Sequence, residues 1–347
     1  MYSESDLETA VTAGALTPAA AAAFRAHVSG ERATPAVDEE SFRLLTGFND
    51  IFVSIALALL LSALGWLGGN IFAGLGGAAV AVASWFLAEY FTLKRRMALP
   101  SILLLLAFVG GVVATMIGTL GEFEPDMSER VAALIGSGFA LVAAGAAWLH
   151  WRRFQVPITV AAGSVAVVGV LVGTVGALIP DLEEKLLWVV LLGGLCLFTF
   201  AMRWDRSDRA RQTKRSDVAF WLHLAAAPMI AHPIFHMLGV MDGDVGTAQA
   251  VVVLALYVGF ALVSLAIDRR ALLVSSLAYV LYAMTSLFEK FGAVSMSVAL
   301  TGLVIGSALL LLSAFWHVAR RKIVTPLPAN WQDQLPLVDR VATPQPA

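Results

Sequence analysis

Charge is what this 347-residue chain has least of: 14% of its residues are Asp, Glu, Lys or Arg and 59% are hydrophobic, where soluble domains carry about 25% charged residues. So little polar surface cannot coat a water-facing globule, which excludes disorder and an ordinary soluble fold and makes lipid the main solvent. Cysteine is almost absent. The single Cys196, inside the apolar run Leu191–Phe200, excludes an internal disulfide framework. A basic excess is missing too: Lys+Arg 23 against Asp+Glu 25 leaves a net charge of -2, so nucleic acid is not expected as a partner. The first 48 residues hold no basic start leading into an apolar core, so the first hydrophobic span is expected to act as its own insertion signal. Phosphate-binding glycine loops, nucleophile elbows and HExxH are also lacking, and GSVAVVGVLVG lies within an apolar run without a preceding strand. Neither an enzyme nor a resident cofactor is expected.

What the chain has in quantity is long apolar runs. A bilayer-crossing helix needs about 20 mostly apolar residues. Ten runs qualify: Ile51–Gly68, Ile71–Phe91, Ser101–Leu120, Val131–Trp151, Val156–Ile179, Leu186–Met202, Val218–Val240, Ala248–Ile267, Ala271–Leu287 and Val294–His317. They are continuous and do not alternate every second residue, which favours helices over strands. The expectation is an all-α polytopic membrane protein of about ten helices arranged as five hairpins. Its organisation reads as a helix pair and linker over 1–37, an interfacial helix over 38–48, a ten-span domain over 49–322 and a Pro-rich tail over 323–347.

The loops set the expected orientation. Sixteen cations lie on one side, among them Lys94, Arg95 and Arg96, Arg152 and Arg153, Arg203 to Arg215, Arg269 and Arg270, and Arg320 to Lys322; the other side has Arg130, Lys185 and Lys290. Short basic loops stay cytoplasmic, so both termini are expected there. The opposite loops are acidic, with Glu122, Glu124, Asp126 and Glu129, then Asp181, Glu183 and Glu184, then Asp242 and Asp244. They read as solvated helix caps or as an entrance that gathers cations.

The basic turns recur at intervals of 51 to 59 residues, and TLKRRMALPSILLLLAF, HWRRFQVPITVAAGSVA and IDRRALLVSSLAYVLYA look alike. A two-helix unit copied in parallel gives this pattern; so does an inverted five-plus-five carrier, or any series of hairpins obeying the charge rule. Gly65, Gly69, Ala73 and Gly77, Gly169 and Gly173, and Gly302 and Gly306 fall four apart, a spacing that lets helix backbones approach closely. Trp66, Trp148, Trp151, Trp188, Trp204, Trp221 and Trp316 sit near span ends, as an aromatic belt requires.

Before the spans, Gly14 closes one short helix, Thr17-Pro18 opens another and Gly30 ends it. Leu7, Val11, Leu16, Phe24 and Val28 form one apolar seam, which suits a local cap or a docking face for a cytoplasmic protein partner. Asp38–Phe48 reads as interfacial, with Phe42, Leu45 and Phe48 toward lipid. The pattern DLETAVTAGALTPAAAAAF followed by closely spaced hydrophobic hairpins resembles bacterial multi-span membrane proteins of the domain-of-unknown-function type. That resemblance implies a bacterial cytoplasmic (inner) membrane and brings no catalytic motif. Ten spans with both ends inside also resembles the drug/metabolite transporter superfamily, from which the 48-residue extension departs.

The seventh span, DVAFWLHLAAAPMIAHPIFHMLGVM, holds His223, His232 and His236, with Pro228 and Pro233 inside it. Ionisable groups at membrane depth are costly and usually face a bundle interior or a wet cavity. His232 and His236 share a face with Met229, while His223 points elsewhere. Three readings of that face stay open: histidines hydrogen-bonded to neighbouring helices, a substrate or proton pathway gated by the prolines, and a metal or haem site from His232, His236 and Met229. Glu89 is expected to pair with Lys94 or the basic turns, and His150 and His317 to sit at helix ends as dipole-compensating cations. The sequence-level expectation is a transporter or permeation protein for a small solute. A membrane scaffold or sensor acting through residues 1–37 is the alternative, and a haem- or metal-binding protein the third.

Overall fold

A computed structural model describes residues 4–31, 48–123, 126–179, 183–211, 213–240, 246–290 and 296–338. It is 86% helical, with no strand among the described residues. The chain divides into two compact units, the first built on α1 and α2 and the second comprising residues 42–337. In the first, α1 (Glu4–Thr12) ends at Gly14, whose φ of +72° suits a residue without Cβ. Thr17 caps α2 (Pro18–Glu31), its Oγ1 accepting from Ala20 N at 3.1 Å. Leu7 and Ala21 are buried between the helices, whereas Leu16 and Phe24 are exposed, so the apolar seam closes over only part of its length. The expected linker and interfacial helix lie outside the described residues, except Phe48, which opens the first span.

Ten helices of the second unit are long and apolar enough to cross a membrane among the described residues, which makes the chain a multi-pass membrane protein. They are α3 (Phe48–Ile71), α4 (Ala73–Ala88, extended by a π-helical turn Glu89–Lys94), α5 (Ala98–Glu122), α6 (Glu129–Phe154) and α7 (Ile158–Leu178). Next come α8 (Glu183–Ser207), α9 (Lys214–Met237), α10 (Thr247–Ile267), α11 (Ala271–Lys290) and α12 (Ser297–Ala314). After them α13 (Trp316–Val324) and a short α14 (Ala329–Gln332) carry the chain over the basic side. Each span keeps its backbone hydrogen bonds within itself, as hydrocarbon demands. At the acidic side Glu122 caps α4, its Oε1 accepting from Ala73 N at 2.9 Å. Glu124, Asp181, Asp242, Asp244 and the side chains of Glu183 and Glu184 lie outside what is described.

The three most extensive packings join spans across basic turns, α4 with α5, α6 with α7 and α8 with α9; α3 with α4 comes next, ahead of α10 with α11 across the fourth basic turn. Every one of these basic turns contains a non-glycine residue in the left-handed region: Arg96, Gln155, Arg211 and Asp268, with φ of 54° to 57°. The bends recur at 59, 56 and 57 residues. The arginine pairs keep looser time, sitting at the bend in the first turn, before it in the second and after it in the fourth. Charge needs only the correct side of the membrane, whereas a helix-to-helix reversal needs one residue at one place. The basic turns therefore share one backbone bend at near-constant spacing.

Close approach fixes several pairs. A Cβ on Gly77 would collide with the backbone nitrogen of Thr115 and the carbonyl oxygen of Gly111, so α4 and α5 touch backbone to backbone. Gly76 similarly abuts Gly65, and Gly173 abuts Ala133 and Ser137. Gly302 and Gly306 have nothing within 4 Å of their Cβ positions, so this pair does no packing among the described residues. Trp66, Trp148 and Trp188 are exposed as a belt requires, but Trp316 is buried. The α9 helix is the most enclosed span and packs against α7, α8 and α11.

Candidate functional site

Asp50, Ser84 and His150 are enclosed in the amino-terminal spans, but the enclosed arginines, with Asp205, Asp208 and His223, gather at the basic ends of the carboxyl-terminal ones. The α8 helix runs to Ser207, five residues beyond the expected Met202, and thereby carries Asp205 into the protein. Thr213 opens α9, with its Oγ1 accepting from Arg215 N at 3.2 Å. The Asp208 carboxylate holds that turn, accepting from Thr213 N at 2.8 Å and from Thr213 Oγ1 at 2.7 Å. The left-handed Asp268 swings the next residue inward, Arg269 N donating to Ser264 O at 2.9 Å.

These three elements meet in one cluster. His223 Nε2 donates to Asp205 Oδ2 at 3.0 Å, and Arg269 Nη2 donates to Asp205 Oδ1 at 2.6 Å and to Ser216 O at 3.0 Å. Arg269 and Asp205 make a buried ion pair, their side chains 3% and 1% exposed, and that of His223 is 1% exposed. Phe220 lies beneath the guanidinium, 5.9 Å from its ring centroid, and Phe198 meets the imidazole edge-on at 5.1 Å. An ionised carboxylate only accepts, which assigns the Nε2 proton to histidine. His223 Nδ1 is buried without a hydrogen-bond partner among the described residues. Asp205 and Arg269 balance one another, so a second proton on His223 would add a buried charge that nothing in the cluster offsets.

A second cluster lies beside it. Asp268 accepts from Arg211 Nη1 at 2.9 Å and from Trp316 Nε1 at 2.8 Å, with Arg320 Nε 3.8 Å away. Buried Arg320 also donates to the carbonyls of Pro336 at 2.7 Å and Leu337 at 3.0 Å. Arg209 donates to those of Leu335 and Gln332, both at 2.9 Å. Residues 325–337, part of the expected Pro-rich tail, thus form a strap held by two guanidiniums, with its own Leu335 and Pro336 buried. Trp316 serves this cluster instead of the belt.

The residues singled out in the seventh span separate. His223 lies in the buried cluster. His232 and His236 are exposed on α9, their rings 5.9 Å apart, and His232 Nδ1 lies 2.7 Å from Tyr279 Oη. Met229 is partly buried against the α8 side, where a Cβ on Gly194 would meet its backbone. Pro228 and Pro233 are both inside a continuous α9. Among the described residues no group of three or more His, Cys, Asp or Glu is placed to hold a metal ion; the histidine pair supplies two ligands where a tetrahedral site takes four.

Elsewhere, Glu89 pairs with Arg153 in bidentate fashion, both contacts at 2.7 Å, linking the first two basic turns. His150 is not an exposed helix-end cation: α6 continues to Phe154, and the imidazole is buried among Trp85, Phe108 and Phe154, with Nδ1 3.3 Å from Thr159 Oγ1. Sequence reasoning missed Asp205, which stands among the cations of RWDRSDRARQTKR and reads there as a solvated loop residue. The available signal was the apolar-face spacing of Leu197, Ala201 and Asp205, four residues apart, which continues the helix past Met202. No family model, curated protein or solved structure matches the chain.

Proposed function

We infer that the protein is a transporter or permeation protein for a small solute, set in a bacterial cytoplasmic membrane with its basic turns and both ends cytoplasmic. The observation carrying this reading is the Asp205–His223–Arg269 cluster, which buries an ion pair and an imidazole between two spans and a turn. Such groups are expensive inside a membrane protein and mark ion or substrate routes more often than packing. Protonation at His223 Nδ1 would place excess positive charge in a closed site and favour separation of α8, α9 and the Arg269 turn. The α9 prolines supply compliance, since each removes a backbone donor and releases a carbonyl one turn back.

The test is proteoliposomes with a trapped pH-sensitive dye, challenged with gradients of amino acids, sugars, organic cations and organic anions. At least one class should drive proton movement above empty liposomes, and His223→Gln, still folded by circular dichroism, should abolish it. Silence across the whole panel would remove the transport reading.

One observation favours a second reading, a scaffold or sensor: the α1–α2 pair forms a compact unit of its own. Deleting residues 1–37 should then strip a cytoplasmic partner from the protein, whereas a transporter would keep its flux.

A further inference from the structure

The basic ends of the carboxyl-terminal spans are tied together at several depths. The Arg269–Asp205 ion pair is the most enclosed, its side chains 3% and 1% exposed. Arg211 comes next: its Nη1 donates to Asp268 Oδ2 at 2.9 Å, and its Nη2 donates to the carbonyls of Ile267 at 3.1 Å and Asp268 at 3.0 Å. The strap is outermost, for the Arg209 side chain that holds it is 32% exposed. Its two attachments lead to the same two turns. Arg209 belongs to the α8–α9 turn, and Leu337 N donates to its carbonyl at 3.4 Å. On the other side, Trp316 and Arg320 set α13 against Asp268 of the α10–α11 turn.

The strap is built to leave and return. It starts from a fixed point, because Val324 at the end of α13 is buried. Within 325–337, Leu335 and Pro336 are the buried residues, and most of the others are exposed. Segments with few buried apolar contacts open at lower cost than the elements they cross. The bonds that Arg209 and Arg320 donate to the strap end on its backbone carbonyls, so release hands those carbonyls to water and leaves the ladder of every span intact. Its shape is also its own. Gln332 Nε2 donates to Leu327 O at 2.7 Å and to Thr325 O at 3.1 Å, and Pro326, Pro328 and Pro336 restrict the free chain. Little freedom is gained on release and little is lost on rebinding.

We propose that residues 325–337 are a latch: bound across Arg209 and Arg320, they hold the α8–α9 and α10–α11 turns together and keep the Asp205–His223–Arg269 cluster closed toward the basic side. Among the described residues the strap makes no hydrogen bond to Asp205, His223 or Arg269, so it acts on access to the cluster and leaves its chemistry alone. Its release lets the two turns part, which is the movement that an extra charge at His223 favours. The latch's effect on flux rests on the transport reading above; its effect on access requires no solute.

Thiol labelling in nanodiscs tests this, in a Cys196→Ser background with a water-soluble maleimide. The reporter is Ser216→Cys, at a buried position whose carbonyl accepts from Arg269. The control is Ser84→Cys, at a buried position of α4. Truncation after Val324 should speed labelling of the reporter about ten-fold and leave the control within about two-fold, as expected of a local opening. Arg209→Gln in the full chain should move the reporter in the same direction, and it replaces the truncation if the shortened protein does not fold. Ser264→Cys, buried where its carbonyl accepts from Arg269 N, replaces the reporter if Ser216→Cys does not fold. An unchanged reporter overturns the latch, and so does equal acceleration of reporter and control, which would make the strap a general stabiliser. Proteoliposome flux separates the two readings. Faster labelling with faster solute-driven proton movement supports both, whereas faster labelling with no flux from any solute class keeps the latch and removes transport.

Discussion

Asp205 is the residue on which the carboxyl-terminal spans converge, and its removal should be felt as the loss of a buried partner. In Asp205→Asn the Arg269 charge stays enclosed without its counterion, a situation that costs about 3–5 kcal/mol. The expected outcome is a clear fall in melting temperature of the detergent-purified protein. The double variant Asp205→Leu/Arg269→Met, which removes both charges, should recover most of it. A single variant that melts with the native protein would show that no ion pair holds these spans. The contrast with His223 explains what sequence could reveal at this scale. A histidine inside an unbroken apolar run announces itself, whereas Asp205 lies 18 residues from His223 and 64 from Arg269 and only tertiary packing unites them. His232 and His236 mark the opposite limit: their shared face was readable from spacing, but nothing local indicates whether a neighbouring helix covers that face.

At the scale of elements, the apolar runs placed all ten spans because hydrocarbon permits one backbone solution over each run. Their ends were harder to read. Both α6 and α8 continue through charged residues that sequence reasoning assigned to loops, since a long side chain can be enclosed at its base and still reach an ion-pair partner. The bends were invisible because four different settings, at Arg96, Gln155, Arg211 and Asp268, use one backbone conformation that none of these residues demands. That conformation costs an L-residue roughly 1–2 kcal/mol. Gln155 is exposed and its side chain only reaches back to Trp151 O at 2.7 Å. Gln155→Gly should therefore leave stability unchanged or raise it by up to about 1 kcal/mol. Gln155→Val, β-branched at a positive φ, should lower it by about 1–2 kcal/mol. Thermal melts of both variants decide the matter; equal effects would mean the bend is not left-handed. Glycine spacing had the same limit as the histidine face, correctly locating close approach at Gly77 but not distinguishing it from the open pair Gly302 and Gly306.

Across the whole spanning unit, the recurrence of the basic turns is legible twice, loosely in the arginine pairs and more closely in the bends. What no repeat anticipates is the asymmetry of its second half, where α9 is wrapped by neighbours and the strap crosses back to Arg209 and Arg320. Proline content alone suggests an extended segment; the four carbonyls that accept from these guanidiniums give it a fixed course. Truncation after Val324 should cost about 2–4 kcal/mol, because charge-assisted hydrogen bonds in an enclosed setting are lost together. Limited trypsin digestion reads the result: cleavage after Arg209 should become rapid in the truncated protein and stay slow in the full chain. An unchanged digestion pattern would mean that the strap does not shield this turn.

The strap also gives biogenesis an order. A ribosome delivers residues 325–337 after the ten described spans have been threaded, so a nascent chain with all its helices in place still holds two guanidiniums awaiting their carbonyls. Insertion and maturation are thus separate events, and a chain interrupted between them is chemically distinguishable from a finished one by the basic side chains it leaves open to membrane proteases.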